Sequence, residues 1–373
     1  MKANPLLELE TLGQSIWIDF IGRGMLASGE LHKLIEGDGV SGVTSNPTIF
    51  EKAIAGSRDY DEAIQALSLG GKRIDEIYQV LTVDDIRRTA DLLRPTYERL
   101  DGWDGFASLE VSPRLAHDTG ATIAEARRLW AAVDRPNVMI KVPATREGLP
   151  AIRQLTAEGI NVNITLLFGL PRYRQVAEAY LEGLGARAAH GRPLDRVASV
   201  ASFFLSRIDV LIDAMLEKLL QVGGPDAETA AALRGQVAIA SAKVAYRMYQ
   251  EIFSAERFGE LAAQGARVQR LLWASTGTKN PAYSDVKYVE PLIGLETVNT
   301  LPLETLRAYR DHGRPALRLE EGVGEARRVL EHLPQAGIDL GAVTQQLEDE
   351  GVKKFLDDFD SLMSTLKAKS AQS

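Results

Sequence analysis

Cysteine is absent from all 373 residues, which removes disulfides, thiolate nucleophiles and thiolate metal ligands together. Histidine is sparse: His32, His117, His190, His312 and His332 include no pair at ligand spacing, so a zinc-dependent route is not expected and no metal or cofactor is assigned. No apolar run approaches the roughly 18 residues that cross a bilayer, and the N-terminus lacks the apolar core of a signal peptide. These absences predict a cytoplasmic protein with no membrane contact. Positive charge is in deficit, 43 basic against 51 acidic residues for a net of −8, so no basic face for nucleic acid is expected. An anionic ligand would have to find local cations. No Walker sequence occurs. What remains is ordinary globular composition, 45% hydrophobic and 25% charged. It is long enough for an α/β barrel of about 250 residues with additions.

Short β-rich segments recur between helical stretches, at 15–20, 39–45, 105–111, 137–142, 161–165, 196–202, 270–275 and 297–301. They are mostly continuous runs of Val, Ile, Leu and Phe without strict alternation, the pattern of parallel strands covered by helices on the outside. Helical patterns fill the gaps, for example 119–133, 170–189 and an alanine-rich run over 227–253 that carries Tyr246, Tyr249 and Phe253 as core aromatics. The alternation predicts a (β/α)8 barrel, the TIM barrel, with extra helices. Residues 73–100 read as two helices with a break before Pro95. Residues 1–314 form the barrel, and 315–373 a helical extension packed on it in the same domain. That extension reads as two or three helices punctuated by Gly337 and Gly351, with a solvated charged face at 346–350, an amphipathic stretch at 352–366 covering the barrel, and frayed residues at 368–373.

The segment Asn137-Val-Met-Ile-Lys141-Val-Pro143 sets one lysine at the end of an apolar strand. A free amine has a pKa of about 10.4, but desolvation at a strand end lowers such values and makes an amine a nucleophile toward carbonyls. Snorkelling to solvent is the alternative. Other strand ends bear on the choice, because barrel enzymes keep their reacting groups at the C-terminal ends of strands. Asp19 ends the first strand, Thr44-Ser45-Asn46-Pro47 the second and Glu110 the third. Asn163 and Thr165 lie on the fifth, Ser202 on the sixth with Arg207 beyond, and Ser275 on the seventh with Lys279 beyond. An amine flanked by two carboxylates suits carbon–carbon chemistry through an imine, which needs several proton transfers. Asn46, Asn163 and Thr165 can bond sugar hydroxyls. Arg207, Lys279, Ser202 and Ser275 can hold a phosphate. Ser275 and Thr276 can equally cap a helix, and Arg207 can equally pair with Asp209 or Asp213.

On these residues the chain resembles the transaldolase family, in particular its longer bacterial branch, from about Pro5 to about Lys367. The resemblance is carried by Ile16-Trp-Ile-Asp19, Gly42-Val-Thr-Ser-Asn46-Pro-Thr-Ile-Phe50, Ser108-Leu-Glu110-Val-Ser-Pro, Ile140-Lys141-Val-Pro-Ala-Thr145, Asn163-Ile-Thr165-Leu-Leu-Phe168, Ser202-Phe-Phe204-Leu-Ser-Arg207 and Trp273-Ala-Ser-Thr-Gly-Thr-Lys279-Asn-Pro281. It implies a metal-free class I barrel that moves a dihydroxyacetone unit from sedoheptulose 7-phosphate to glyceraldehyde 3-phosphate in the non-oxidative pentose phosphate pathway. By the same resemblance Lys141 forms the Schiff base, Glu110 works through a bound water, and Asp19 takes the hydroxyl proton as the bond breaks. Asn46, Asn163 and Thr165 position the donor, and Arg207 holds phosphate. Lys279 stands close to where shorter relatives carry a second arginine.

Three other readings stay open from sequence. Gly22-Arg-Gly24-Met-Leu-Ala27 mimics a dinucleotide fingerprint, but the second strand closes in Thr44-Ser45-Asn46-Pro47 without the acidic residue such a site wants. A fructose 6-phosphate aldolase would release the three-carbon unit to water, and relatives of that kind carry tyrosine where Phe204 stands. A catalytically silent phosphosugar-binding barrel would have little use for an amine beside two carboxyls. The expected partners are phosphorylated sugars alone, on a monomer or homodimer.

Overall fold

Strands built from unbroken apolar runs are buried along their whole length, as in β3 (Phe106–Glu110), β4 (Val138–Pro143), β5 (Val162–Leu167), β6 (Ser199–Phe204) and β7 (Gln269–Ala274). Both faces are covered, by helices outside and by the opposite strands inside. In the computed structural model, which describes residues 4–223 and 226–371, these strands join β1 (Gln14–Ile18), β2 (Val40–Val43) and β8 (Thr297–Leu301) in a closed barrel in chain order, every pair parallel. β8 pairs back on β1, with Gln14 opposite Thr297 and Ile18 opposite Leu301. This is a (β/α)8 TIM barrel with additional helices. No helix among the described residues is long and apolar enough to cross a membrane.

Several local expectations are corrected. The sixth strand begins at Ser199 rather than 196 and runs on to Phe204, while Arg196 lies before it, paired with Asp101 at 2.8 Å. Residues 74–99 form one helix, Ile74–Arg99, that passes through Pro95. The hydrogen bond that proline forfeits would have gone to Asp91, and both residues are exposed, so water serves the freed carbonyl while Leu93, Thr96 and Tyr97 hold the buried face. The alanine-rich run is two helices, Asp226–Leu233 and Val237–Ile252. Gly235 parts them in a left-handed conformation at φ 70°, and its N–H donates to Asp213 Oδ1 at 2.7 Å. Tyr246 and Tyr249 are buried and stacked at 5.6 Å, with Phe253 tilted against Tyr249 at 5.3 Å.

In the tail, helix Val323–His332 and a 3-10 turn Leu333–Ala336 stop at Gly337, but Gly351 stops nothing. It lies inside the C-terminal helix Leu340–Ser370, whose Asp339 cap accepts the Gly341 N–H at 2.8 Å. Val352, Phe355, Phe359, Leu362 and Leu366 make its buried stripe. Within the run 346–350, Glu348 is not solvated: it is buried and pairs with Arg172 at 3.2 Å. The expected fraying at 368–373 does not begin at 368. Lys369 pairs with Asp61 at 2.6 Å and donates to the Ser57 carbonyl at 2.8 Å, and residues 372–373 lie outside the described residues.

Candidate active site

Strand register brings the acid and the amine together. Glu110 on β3 stands opposite Lys141 on β4, which stands opposite Asn163 on β5, so three polar side chains share one level at the C-terminal end of the barrel. Adjacent strands are about 4.8 Å apart, which puts such neighbours in reach of one another. Lys141 Nζ lies 3.6 Å from Glu110 Oε2 and donates to the Ser45 carbonyl at 3.1 Å. Lys141 is 3% exposed and does not snorkel. Burial pushes the Glu110 carboxyl up to about 7, with the nearby Lys141 ammonium pulling against that rise and Asp19 adding to it. A carboxyl poised near neutrality can take up and release a proton under one set of conditions.

Asp19 follows β1, half-buried, its N–H bonded to the Leu301 carbonyl at 2.9 Å. Thr44 donates to Asp19 Oδ1 at 2.6 Å and meets Thr300 Oγ1 at 2.8 Å, which fixes the carboxylate to the ends of β2 and β8. Asn46 opens helix Pro47–Ala55 as its N-cap, with its side-chain oxygen accepting the Ile49 N–H at 2.9 Å. The cap orients the amide and leaves its NH2 group available. Asn163 is held at both ends, donating to Ser108 Oγ at 3.0 Å and accepting from Ser202 Oγ at 2.7 Å. Thr165 is fully buried. Thr165 Oγ1 and Glu110 Oε2 are both buried with no hydrogen-bond partner among the described residues, two atoms that a substrate hydroxyl or a water can meet.

Arg207, in the first turn of helix Ser206–Val222, makes no ion pair among the described residues. Asp209 is instead taken by Lys287 at 3.3 Å and Tyr288 at 2.9 Å, and Asp213 by Tyr283 at 2.7 Å. The guanidinium lies over the Phe204 ring at 5.4 Å, and that ring packs on Phe168 at 5.3 Å. Burial pulls Arg207 below the usual arginine range, opposed by the carboxylates of Asp19, Asp358 and Glu110 that face it. Ser275, in a left-handed conformation at φ 55°, meets Ser206 Oγ at 2.9 Å, and its carbonyl accepts the Ser206 N–H at 3.0 Å. It thus tethers the start of the helix that carries Arg207, while Thr276 bonds the Thr300 carbonyl. Lys279 is exposed on the loop after β7 and lines a cavity of about 250 Å³ whose other walls include Asp209, Asp213 and Glu217. The carboxylates around Lys279 are thus a different set from Asp19, Glu110 and Asp358, which face Arg207.

Ser108, Ser45 and Thr44, which the sequence named only within motifs and gave no role, complete the arrangement. Ser108 stands two before Glu110 on β3, and this period-two spacing was the available signal. The Ser45 carbonyl and the Thr44 hydroxyl could be found only once β2 was set beside β1 and β3. Arg23, in the glycine-bracketed mimic, is spent on Asp85 at 3.0 Å and over the Tyr60 ring. Among the described residues no group of three or more His, Asp or Glu side chains is placed to hold a metal ion.

The family model described as Transaldolase/Fructose-6-phosphate aldolase matches residues 16–366. Among curated proteins, the chain is 50% identical over 374 residues to "Transaldolase 2" of Nostoc sp. PCC 7120, covering 99% of this chain and 98% of that one. It is 49% identical to "Transaldolase" of Thiobacillus denitrificans, covering 97% and 99%, and 47% identical to "Transaldolase" of Mycolicibacterium smegmatis, covering 97% of each.

Proposed function

The chain belongs to the transaldolase/fructose-6-phosphate aldolase family, and from that premise we infer that it works as a transaldolase. It moves a dihydroxyacetone unit from sedoheptulose 7-phosphate to glyceraldehyde 3-phosphate, giving erythrose 4-phosphate and fructose 6-phosphate. The observation that carries the mechanism is the buried pair Lys141 and Glu110, 3.6 Å apart, with the carboxyl raised to about 7.

In this reading the Lys141 amine adds to the C2 ketone of the donor, and Glu110 returns the proton that lets the carbinolamine oxygen leave as water. The iminium so formed is the electron sink. Asp19 takes the C4 hydroxyl proton, the C3–C4 bond breaks, and its electron pair moves onto the iminium to leave an enamine and a free aldehyde. The enamine carbon then attacks the acceptor aldehyde, and Asp19 gives its proton back to the new alkoxide. Water adds to the iminium, with Glu110 as base, and frees the product. Asn46, Asn163 and Thr165 hold the donor hydroxyls, Ser202 holds Asn163, Ser275 holds the Arg207 helix, and Arg207 binds the phosphate. Lys279, in its acidic surroundings, is at most a second contact. Residues 315–373 belong with the barrel as one domain in this account.

The apolar ring of Phe204, backed by Phe168, favours transfer over release, since it has no hydroxyl to hold a water that would protonate the enamine carbon, the step that must precede hydrolysis of the iminium and release of dihydroxyacetone. Incubation with fructose 6-phosphate followed by borohydride and peptide mapping tests the mechanism. A reduced three-carbon adduct on Lys141, lost in Lys141→Ala, is the expected result. Bound substrate without an adduct would leave a silent phosphosugar-binding barrel.

A further inference from the structure

The C-terminal helix reaches the phosphate end of the site. One stripe of it touches the C-terminal end of the barrel: Gly351 meets Leu166 near the end of β5, Phe355 lies 5.9 Å from the Arg207 guanidinium, and Asp358 takes the Thr48 hydroxyl two residues beyond Asn46; from another face of the helix Asp360 pairs with Arg114 after β3 at 2.6 Å. The spacing of 351, 355 and 358 is that of one helix face. Arg207 therefore has two aromatic rings close to its guanidinium carbon, Phe204 from the barrel at 5.4 Å and Phe355 from the helix at 5.9 Å.

We propose that Phe355 and Asp358 are positioning residues that set the grip of Arg207 on the sugar phosphate, Phe355 strengthening it and Asp358 weakening it. The inference rests on Arg207 being the phosphate residue of the reading above. A guanidinium offers its fork of N–H donors in its own plane, and aromatic rings packed close to it restrict its movement without using a single donor. Phe355 is 1% exposed, so its ring is itself held. Packed against two rings, the fork meets phosphate with less ordering still to be done.

Asp358 acts in the other direction. Its carboxylate is fixed by the Thr48 hydroxyl and by Lys354 at 2.9 Å, and it faces Arg207 without pairing with it. An anion so placed repels an arriving phosphate dianion and competes for the cation's field. Its removal is expected to tighten phosphate binding by about threefold or more, the size that a unit charge several ångströms away exerts in a partly solvated site.

Two conservative variants and two readouts test this. In Phe355→Leu, the KM for glyceraldehyde 3-phosphate is expected to rise at least threefold at nearly constant kcat, while the KM for unphosphorylated glyceraldehyde stays within twofold. In Asp358→Asn, which keeps an acceptor for Thr48, the phosphorylated KM falls and the unphosphorylated one does not. Binding of inorganic phosphate, followed by phosphorus NMR line broadening against an Arg207→Ala control, reports the same site without turnover. Weaker phosphate binding in Phe355→Leu and tighter binding in Asp358→Asn would support the proposal even if the wild type transferred no sugar unit, an outcome that would remove only the functional reading. Equal changes for both acceptors, weaker phosphate binding in Asp358→Asn, or phosphate binding indifferent to Arg207 would overturn it. Should Phe355→Leu fail to fold, Asp358→Asn decides alone.

Discussion

Gly351 of the C-terminal helix stands so close to Leu166 that a Cβ carbon built there would come within 2.9 Å of Leu166 Cδ2. Leu166 itself is strained, with φ at 55° and 2% exposure, in the irregular stretch of β5 between Ile164 and Leu167. Left-handed backbone at leucine costs on the order of 1 kcal/mol or more and persists only where its surroundings enforce it. The helix that presses on Leu166 thereby also holds the end of β5 that carries Thr165.

Gly351→Ala sets about 1–3 kcal/mol of overpacking against the roughly 1 kcal/mol that alanine gains over glycine inside a helix, so a net loss of about 0–2 kcal/mol is expected. Paired with Leu166→Ala in a double-mutant cycle, it should cost less than the sum of the two single changes, because the smaller side chain makes room for the methyl. Urea unfolding of the four proteins measures this, and strict additivity would show that the two residues do not share the contact.

Glu110→Gln keeps the shape of the side chain and removes its proton exchange, so kcat should fall by about 10²–10⁴. The same variant reads the raised pKa through stability. A carboxyl that titrates near 4.5 in the unfolded chain and near 7 in the fold binds its proton more tightly when folded. Its stabilising contribution is fully present below about 4.5 and is lost as pH rises through about 7. The wild type should therefore lose stability relative to Glu110→Gln between pH 4.5 and 8, by up to about 3 kcal/mol. Denaturation of both proteins at pH 5 and pH 8 checks the sign, and a difference independent of pH would refute it.

Phe204→Tyr adds a hydroxyl to the ring that lies 5.4 Å from the Arg207 guanidinium, and this group is expected to hold a water that protonates the enamine before hydrolysis. Net cleavage of fructose 6-phosphate is expected to rise relative to transfer. Measuring dihydroxyacetone release and transfer product together gives the ratio, and an unchanged ratio would mean that Phe204 does not govern the choice.

Pro95→Ala should stabilise the long helix Ile74–Arg99, since alanine restores the bond toward Asp91 and removes the ring. A gain of about 1–3 kcal/mol is expected. No change in thermal midpoint would show that the helix has already relaxed around the proline.

Much of this was legible along the chain. Continuous apolar strands alternating with helices predict the barrel, and the polar groups ending those strands mark its working edge. The corrections share one cause: local signals were overruled by what lay across from them. Pro95 does not break its helix because the unmade bond faces water and the buried face is well packed. Gly351 does not end its helix because its missing side chain serves a close approach to β5. Glu348 does not face solvent because Arg172 comes from another helix to meet it. Leu166 and Arg172 are both more than a hundred and fifty residues from the positions they overrule.

The amino-acid sequence by itself determined the kind of fold and the chemical inventory, because strand burial follows from composition and period, and an amine, two carboxylates and an arginine are properties of single residues. Distances and fields were decided by the tertiary structure alone. Register sets Glu110 opposite Lys141, barrel closure desolvates the pair and lifts the carboxyl, and a helix more than two hundred residues along the chain from Lys141 supplies the second ring against Arg207. Such effects depend on separation through space and on the exclusion of water, and neither is encoded in the order of neighbouring residues.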